Sequence, residues 1–189
     1  MLRTNTDLLA FIEQLYAKQV RKEDIILRSF SEGGRVLEQG TKIDKVFVIK
    51  EGITKCYLTE ENDKNYIFEF LGKGEIIGEI EALKNRESLC TVEAISEVSV
   101  YCMSAVFFLS LVDKNLEINK ILLHALSDRI LNTSSRASFQ QLYSLEYGLS
   151  KLLDLQKKEQ ISLTRDDMAA YLGITIRSLN RALKQLKKA

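Results

Sequence analysis

The spacing of apolar residues along this 189-residue chain changes twice. From Leu2 to Lys18 it is helical, with Leu8, Leu9, Ile12, Leu15 and Tyr16 on one face and Asn5 or Thr6 placed to cap the start. From Asp24 to Met103 apolar residues alternate in short runs: Ile25–Phe30, Arg35–Leu37, Lys45–Lys50, Ile53–Thr59, Asn65–Leu71, Cys90–Ile95 and Glu97–Met103. Glycines break the runs, at Gly33-Gly34, Gly40, Gly52, Gly72, Gly74 and Gly78, and Glu60 to Lys64 is a polar hairpin tip. Many short strands at near-regular spacing predict a sandwich or barrel. Helical spacing returns over Ala105–Val112, Leu116–Arg136 and Phe139–Lys157.

The helix predicted from Leu116 carries two apolar stripes. Ile118, Leu122, Ala125 and Arg129 form one, and Ile121, Leu126, Ile130 and Thr133 its neighbour. Two stripes on one helix predict packing on its own domain and on a partner copy. Ile118, Ile121, Leu122, Ala125 and Arg129 are assigned to this dimerisation helix. Asn132-Thr133-Ser134-Ser135 then makes the helix end polar and predicts a hinge near Asn132–Ser138.

Leu163 to Lys188 reads as two short helices joined by a tight turn. Thr164 caps the first, with Asp167 three residues on in a capping-box arrangement. Met168, Ala169 and Leu172 face inward, Gly173 stops the helix and Ile174 buries the turn. Thr175 caps a second helix with Leu179, Ala182, Leu183 and Leu186 on one face and Arg177, Asn180, Arg181, Lys184, Lys187 and Lys188 on the other. This is the pattern of a helix-turn-helix, whose second helix enters the DNA major groove. Thr164, Arg165, Thr175, Ile176, Arg177, Ser178, Asn180, Arg181 and Lys184 are the candidate DNA-contacting residues. An ordinary helical hairpin with a solvated basic face has the same pattern.

Charge adds weight to the first reading. Residues 161–189 hold six basic and two acidic side chains, for +4, whereas residues 1–160 hold 21 and 24, for −3. A basic tail on a nearly neutral chain is an electrostatic footprint for phosphate.

Composition excludes other classes. No run of about 18 apolar residues spans a membrane, and no secretory leader is present, so the chain is expected in the cytoplasm. Cys56, Cys90 and Cys102 are scattered and odd in number, which argues against a disulfide framework. His124 is the sole histidine, so a multi-histidine metal enzyme or a histidine-based catalytic triad cannot be assembled with confidence. No enzyme activity, metal or cofactor is expected.

A glycine-punctuated β-roll, a long helix and a C-terminal helix-turn-helix together resemble the CRP/FNR family of bacterial transcription regulators. The stretch Gly74-Glu75-Ile76-Ile77-Gly78-Glu79-Ile80 is similar to that family's nucleotide-pocket motif. Leu163 to Ala169 with Leu172-Gly173 is similar to its helix-turn-helix signature. The resemblance implies an α+β chain of three parts. These are a cyclic-nucleotide-binding-like β-roll or jelly roll with its N-terminal helix (1–112), a long dimerisation helix and hinge (113–137), and a helix-turn-helix domain (138–189). It implies a homodimer, double-stranded DNA as partner and RNA polymerase as a further one. Gly78, Glu79, Ile80, Arg86, Ser88, Leu89, Cys90, Thr133 and Ser134 are the effector-pocket candidates.

The chain departs from that pattern twice. Family members that bind cAMP follow the Gly-Glu pair with an arginine that holds the cyclic phosphate; here the matching stretch is Ser88-Leu89-Cys90, with Arg86 two residues early. Burying a phosphate without a cation costs several kcal/mol, so an unidentified small-molecule effector other than cAMP is expected. Family members also carry a two-stranded wing after the recognition helix. The sequence stops at Ala189, on the recognition helix, so either it is truncated or the protein lacks a wing, and weaker duplex binding than that of a winged version is expected. Two functions remain open: an effector-controlled DNA-binding regulator, or a small-molecule-binding β-roll signalling module without independent DNA binding.

Overall fold

The structure, a computed structural model, describes residues 2–186. Two sheets make a β-roll. One runs β1 (Leu2–Arg3), β6 (Asn65–Leu71), β5 (Thr54–Thr59), β8 (Thr91–Ala94) and β3 (Arg35–Leu37). The other runs β2 (Ile25–Phe30), β9 (Val98–Ser104), β4 (Lys45–Glu51) and β7 (Ile76–Ile77). Strand pairs are antiparallel except β1 with β6.

Alternation along β4 and β9 explains why these strands are apolar on both faces. Phe47, Ile49, Val98, Val100 and Cys102 point into the sandwich with Cys56 and Val92. Val46, Val48, Tyr101 and Met103 point outward beneath three helices: α1 (Thr6–Lys18), α3 (Ala105–Lys114) and α4 (Leu116–Leu142). Leu8, Ile12, Phe108, Ile118 and Leu122 supply the helical side of that layer.

The remaining helices, α5 (Leu145–Glu159), α6 (Arg165–Leu172) and α7 (Ile176–Leu186), form a unit docked on the outer face of the first sheet. Leu149, Leu152, Met168, Leu179 and Ala182 share one core with Tyr57, Ile67 and Phe70 of the sheet. The Phe70 and Tyr171 rings stack with centroids 5.1 Å apart.

Four elements differ from the sequence reading. Leu2 and Arg3 belong to a strand, because Arg3 is buried on two carboxylates, Glu69 and Glu75, each at 2.7 Å; the helix begins at Thr6, where Asn5 accepts the Leu8 N–H at 2.9 Å. The short β7 and α2 (Glu79–Lys84) carry too few residues to show a period. The hinge predicted near Asn132–Ser138 is helical, since α4 runs unbroken to Leu142. The break falls at Tyr143, and Ser144 caps α5 by accepting the Tyr147 N–H.

Arg136 explains why that polar stretch stays helical and seated. Its guanidinium donates to the Ile67 and Phe68 carbonyls of β6 and to the Tyr171 carbonyl of α6, and lies 4.2 Å from the Tyr171 ring centroid. One side chain of α4 thereby ties the roll to the helical unit. Arg136→Ala should cost about 2 kcal/mol in urea unfolding, because bonds from a charged donor are lost together. A change within about 0.5 kcal/mol, the range of ordinary surface substitutions, would contradict this role.

Candidate nucleic-acid interface and effector pocket

The α6–α7 hairpin is built by local bonds. Thr164 Oγ1 accepts the Asp167 N–H at 3.0 Å and donates to Asp167 Oδ2 at 2.7 Å. Gly173 ends α6 at φ 67°, a left-handed conformation that a side chain would strain, and the following Ile174 N–H returns to the Ala169 carbonyl at 3.0 Å. Thr175 Oγ1 then accepts the Ser178 N–H at 3.2 Å. With Leu179 and Ala182 buried below, Arg177, Arg181 and Lys184 stand exposed and line a shallow surface hollow with Ile176, Asn180 and Gln185.

Not every predicted contact residue is equally available. Asn180 Oδ1 accepts from Arg165 at 2.7 Å, which couples α6 to α7. Thr164 and Thr175 serve as caps, and the Ser178 hydroxyl lies 3.1 Å from that of Thr175. Lys187 and Lys188 lie outside the described residues. Asp167 also has a role that its capping motif did not reveal: its Oδ1 accepts from Lys55 Nζ at 2.7 Å, and Lys55 pairs with Glu93 at 2.9 Å. Burial alone would lower the Lys55 pKa, but Asp167 and Glu93 carry it up overall.

In the β-roll, Gly78 occupies φ 90°, and a Cβ there would lie 2.7 Å from Ile43 Cδ1 and 2.9 Å from the Lys45 carbonyl oxygen. This tight turn launches α2 with Glu79 at its first position, only 2% exposed. The Glu79 carboxylate accepts a hydrogen bond from Arg129 of α4. Arg129 also lies 4.0 Å from Glu75, which pairs with Arg3 at 2.7 Å. Burial raises the Glu79 and Glu75 pKa values, against the pull of Arg129 on the first and of Arg3 and Arg129 on the second. Burial would lower the Arg129 pKa, yet the surrounding glutamates carry it up.

The other pocket candidates are spread out. Ser88 is buried and donates to the Cys90 carbonyl at 2.7 Å, and the Leu89 N–H donates to Glu81 Oε1 at 3.3 Å. Cys90 packs against Cys56. Ile80 and Leu89 are partly exposed, and Arg86, Thr133 and Ser134 lie on the surface. His124 is exposed on α4. The guanidinium beside Glu79 is therefore that of Arg129, assigned from sequence to the dimer seam. It is engaged with the Glu79 carboxylate, and residues 88–90 supply no cation.

Ile118, Leu122 and Ala125 are buried in this chain, Ile118 and Leu122 in the layer over the second sheet, with Ile121 packed beside them. The exposed apolar row of α4 is Leu116, Leu123 and Ile130, at a seven-residue spacing.

Comparison with known proteins agrees with this architecture. Residues 27–115 match the family described as cyclic nucleotide-binding domain, and residues 142–189 that described as Crp-like helix-turn-helix domain. The chain belongs to the CRP/FNR family of DNA-binding transcription regulators. It is 23% identical over 172 residues to the cAMP-activated global transcriptional regulator CRP of Salmonella typhimurium, covering 85% of this chain and 82% of that protein. It is 23% identical over 165 residues to the anaerobic regulatory protein of Pasteurella multocida, where the match covers 81% of this chain but only 60% of the relative. The solved structure of the c-di-GMP responsive global regulator CLP of Xanthomonas campestris superposes with a TM-score of 0.80 at 18% identity, covering 95% of this chain and 91% of that one.

Arg129→Met should destabilise the fold by about 3 kcal/mol, since it leaves the Glu79 carboxylate buried without its cation. Adding Glu79→Gln should recover part of the loss in denaturant titrations; strict additivity would show that the pair does not interact. The raised Glu79 pKa means that the folded chain holds this proton more tightly than the unfolded chain does. Its contribution is full below the ordinary glutamate value of 4.5 and is lost as pH rises through the folded value. Glu79→Gln should therefore flatten the fall in stability across that window.

Proposed function

We propose that this chain acts as a homodimeric, sequence-specific DNA-binding regulator that places α7 of each copy in successive major grooves, and that an effector other than cAMP controls it through the β-roll. The observation that carries the reading is the exposed row Arg177, Arg181 and Lys184 above the buried Leu179 and Ala182. An arginine fork suits guanine edges or phosphates. Asn180 holds Arg165 at the groove rim as a positioning residue. The heptad row Leu116, Leu123 and Ile130 forms the seam between copies. Pairing along it sets the two α7 helices about 34 Å apart, one helical turn of DNA.

Effector control works as a shift between two arrangements of the helical unit on the roll. The Glu79–Arg129 pair connects pocket to long helix, and Arg136 connects long helix to α6. The work is done in the cytoplasm, where the DNA is, and RNA polymerase is the partner where the outcome is activation. We divide the chain functionally into the sensor roll (1–112), the long helix α4 (Leu116–Leu142) and the helix-turn-helix unit that follows it. A β-roll module without DNA binding would have no use for the exposed cation row.

The test uses a palindromic duplex recovered by in vitro selection with this protein. Arg181→Ala should weaken binding by about 1–3 kcal/mol and relax base preference at one position of each half-site. Equal affinity and equal preference in a gel-shift series would overturn the reading. Leu123→Glu should convert dimer to monomer in sedimentation and weaken operator binding, whereas an unchanged sedimentation coefficient would exclude the proposed seam.

A further inference from the structure

Cys56 and Cys90 stand 34 residues apart in the chain, yet their sulfurs meet inside the β-roll at 2.9 Å. Strand register explains the meeting. Cys56 lies opposite Val92, and Cys90 is two residues before Val92, so the two side chains share the inner face of the sheet on a diagonal. Closing a disulfide of about 2.05 Å needs a sulfur shift of only about 1 Å. Neither the DNA-reading face nor the Glu79–Arg129 pair uses these thiols.

Buried thiols are usually inert, and burial with the neighbouring Cys90 holds the Cys56 thiol well above its ordinary pKa. Access comes from the other side of the pair. Cys90 is 9% exposed against 3% for Cys56, and it follows Leu89, which is 52% exposed at the rim of the roll. In compartments that keep thiols reduced, protein disulfides are mostly transient and redox-sensing.

We propose that Cys56 and Cys90 are an oxidisable dithiol that a hydroperoxide converts to an intramolecular disulfide, stapling β5 to the pocket rim at Ser88–Cys90, and that a small thiol reverses. The Cys90 thiolate attacks a peroxide oxygen, the O–O bond breaks, and the departing oxygen leaves as water or alcohol with the thiol proton. Cys90 is then a sulfenic acid. The Cys56 sulfur attacks that sulfur, the S–O bond breaks, and the hydroxyl leaves as water with the Cys56 proton. Two thiols give two electrons to one peroxide. Reversal is thiol–disulfide exchange, in which the small thiol is oxidised to its own disulfide. The closed loop contains α2, which carries Glu79.

The inference does not rest on the DNA-binding reading, because its readouts involve no DNA. The reduced full chain is treated with hydrogen peroxide, quenched with catalase, denatured, alkylated with N-ethylmaleimide and weighed. One alkylated cysteine of the three is expected, with Cys56 and Cys90 joined in a peptide map cut after glutamate, where Glu93 and Glu97 separate Cys90 from Cys102, and with Cys102, on the other sheet, alkylated. The crosslinked protein should melt about 5–10 °C higher, because the staple restricts the unfolded chain. Dithiothreitol should restore both readouts. Cys102→Ser should leave the crosslink intact, and Cys90→Ser should leave Cys56 alkylatable after peroxide. Three alkylatable thiols after peroxide, a bridge through Cys102, or an unchanged melting temperature in the crosslinked chain would each overturn the proposal. If Cys90→Ser does not fold, the wild-type peptide map alone decides it.

Discussion

Two arginines, two helical turns apart on one face of α4, hold this molecule together. Arg129 enters a cluster of glutamates in the roll, and Arg136 reaches three carbonyls shared between the roll and the helical unit. A guanidinium suits both tasks, since it stays charged and offers several donors in a plane. A buried ion pair adds little net stability once desolvation is counted, but removing one partner is expensive. Such contacts therefore specify the seating of α4 more than they strengthen it.

That seating decides what the rest of α4 can do. The face with Ile118, Leu122, Arg129 and Arg136 is consumed within the chain. About 120° around the helix, the row Leu116, Leu123 and Ile130 is left in water. Apolar residues in register along a helix are what a second copy can cover. The strands show the same economy of faces. β4 and β9 are buried on both sides, one against the opposing sheet and the other against α1, α3 and α4, which is why their sequences read as almost unbroken apolar runs.

Features fixed by near neighbours were legible in the sequence. The seven longer strands, the Thr164 cap, the Gly173 stop and the two faces of α7 are all set within a few residues, so spacing and residue type expose them. What escaped was set by distant partners. Arg129 reads as part of an interface stripe until Glu79, 50 residues earlier, is found beside it. Arg3 looks like a helix residue until Glu69 and Glu75 claim it. The polar Asn132–Ser135 stretch signals a break, yet Arg136 seats the helix straight through it. Even the missing phosphate-binding arginine was only half the story, because the roll had recruited a cation from the long helix, and that cation was already engaged.

The unbroken course of α4 has a mechanical consequence. Its 27 residues make a rod about 40 Å long, with Arg129 near the middle. From that fulcrum to Leu142 the rod extends about 20 Å, so a tilt of about 5° moves its far end by nearly 2 Å. A fold that bent at Asn132 would absorb such a tilt in the bend. An unbroken rod instead carries any such tilt undiminished to Leu142, next to the break at Tyr143 where the helical unit begins.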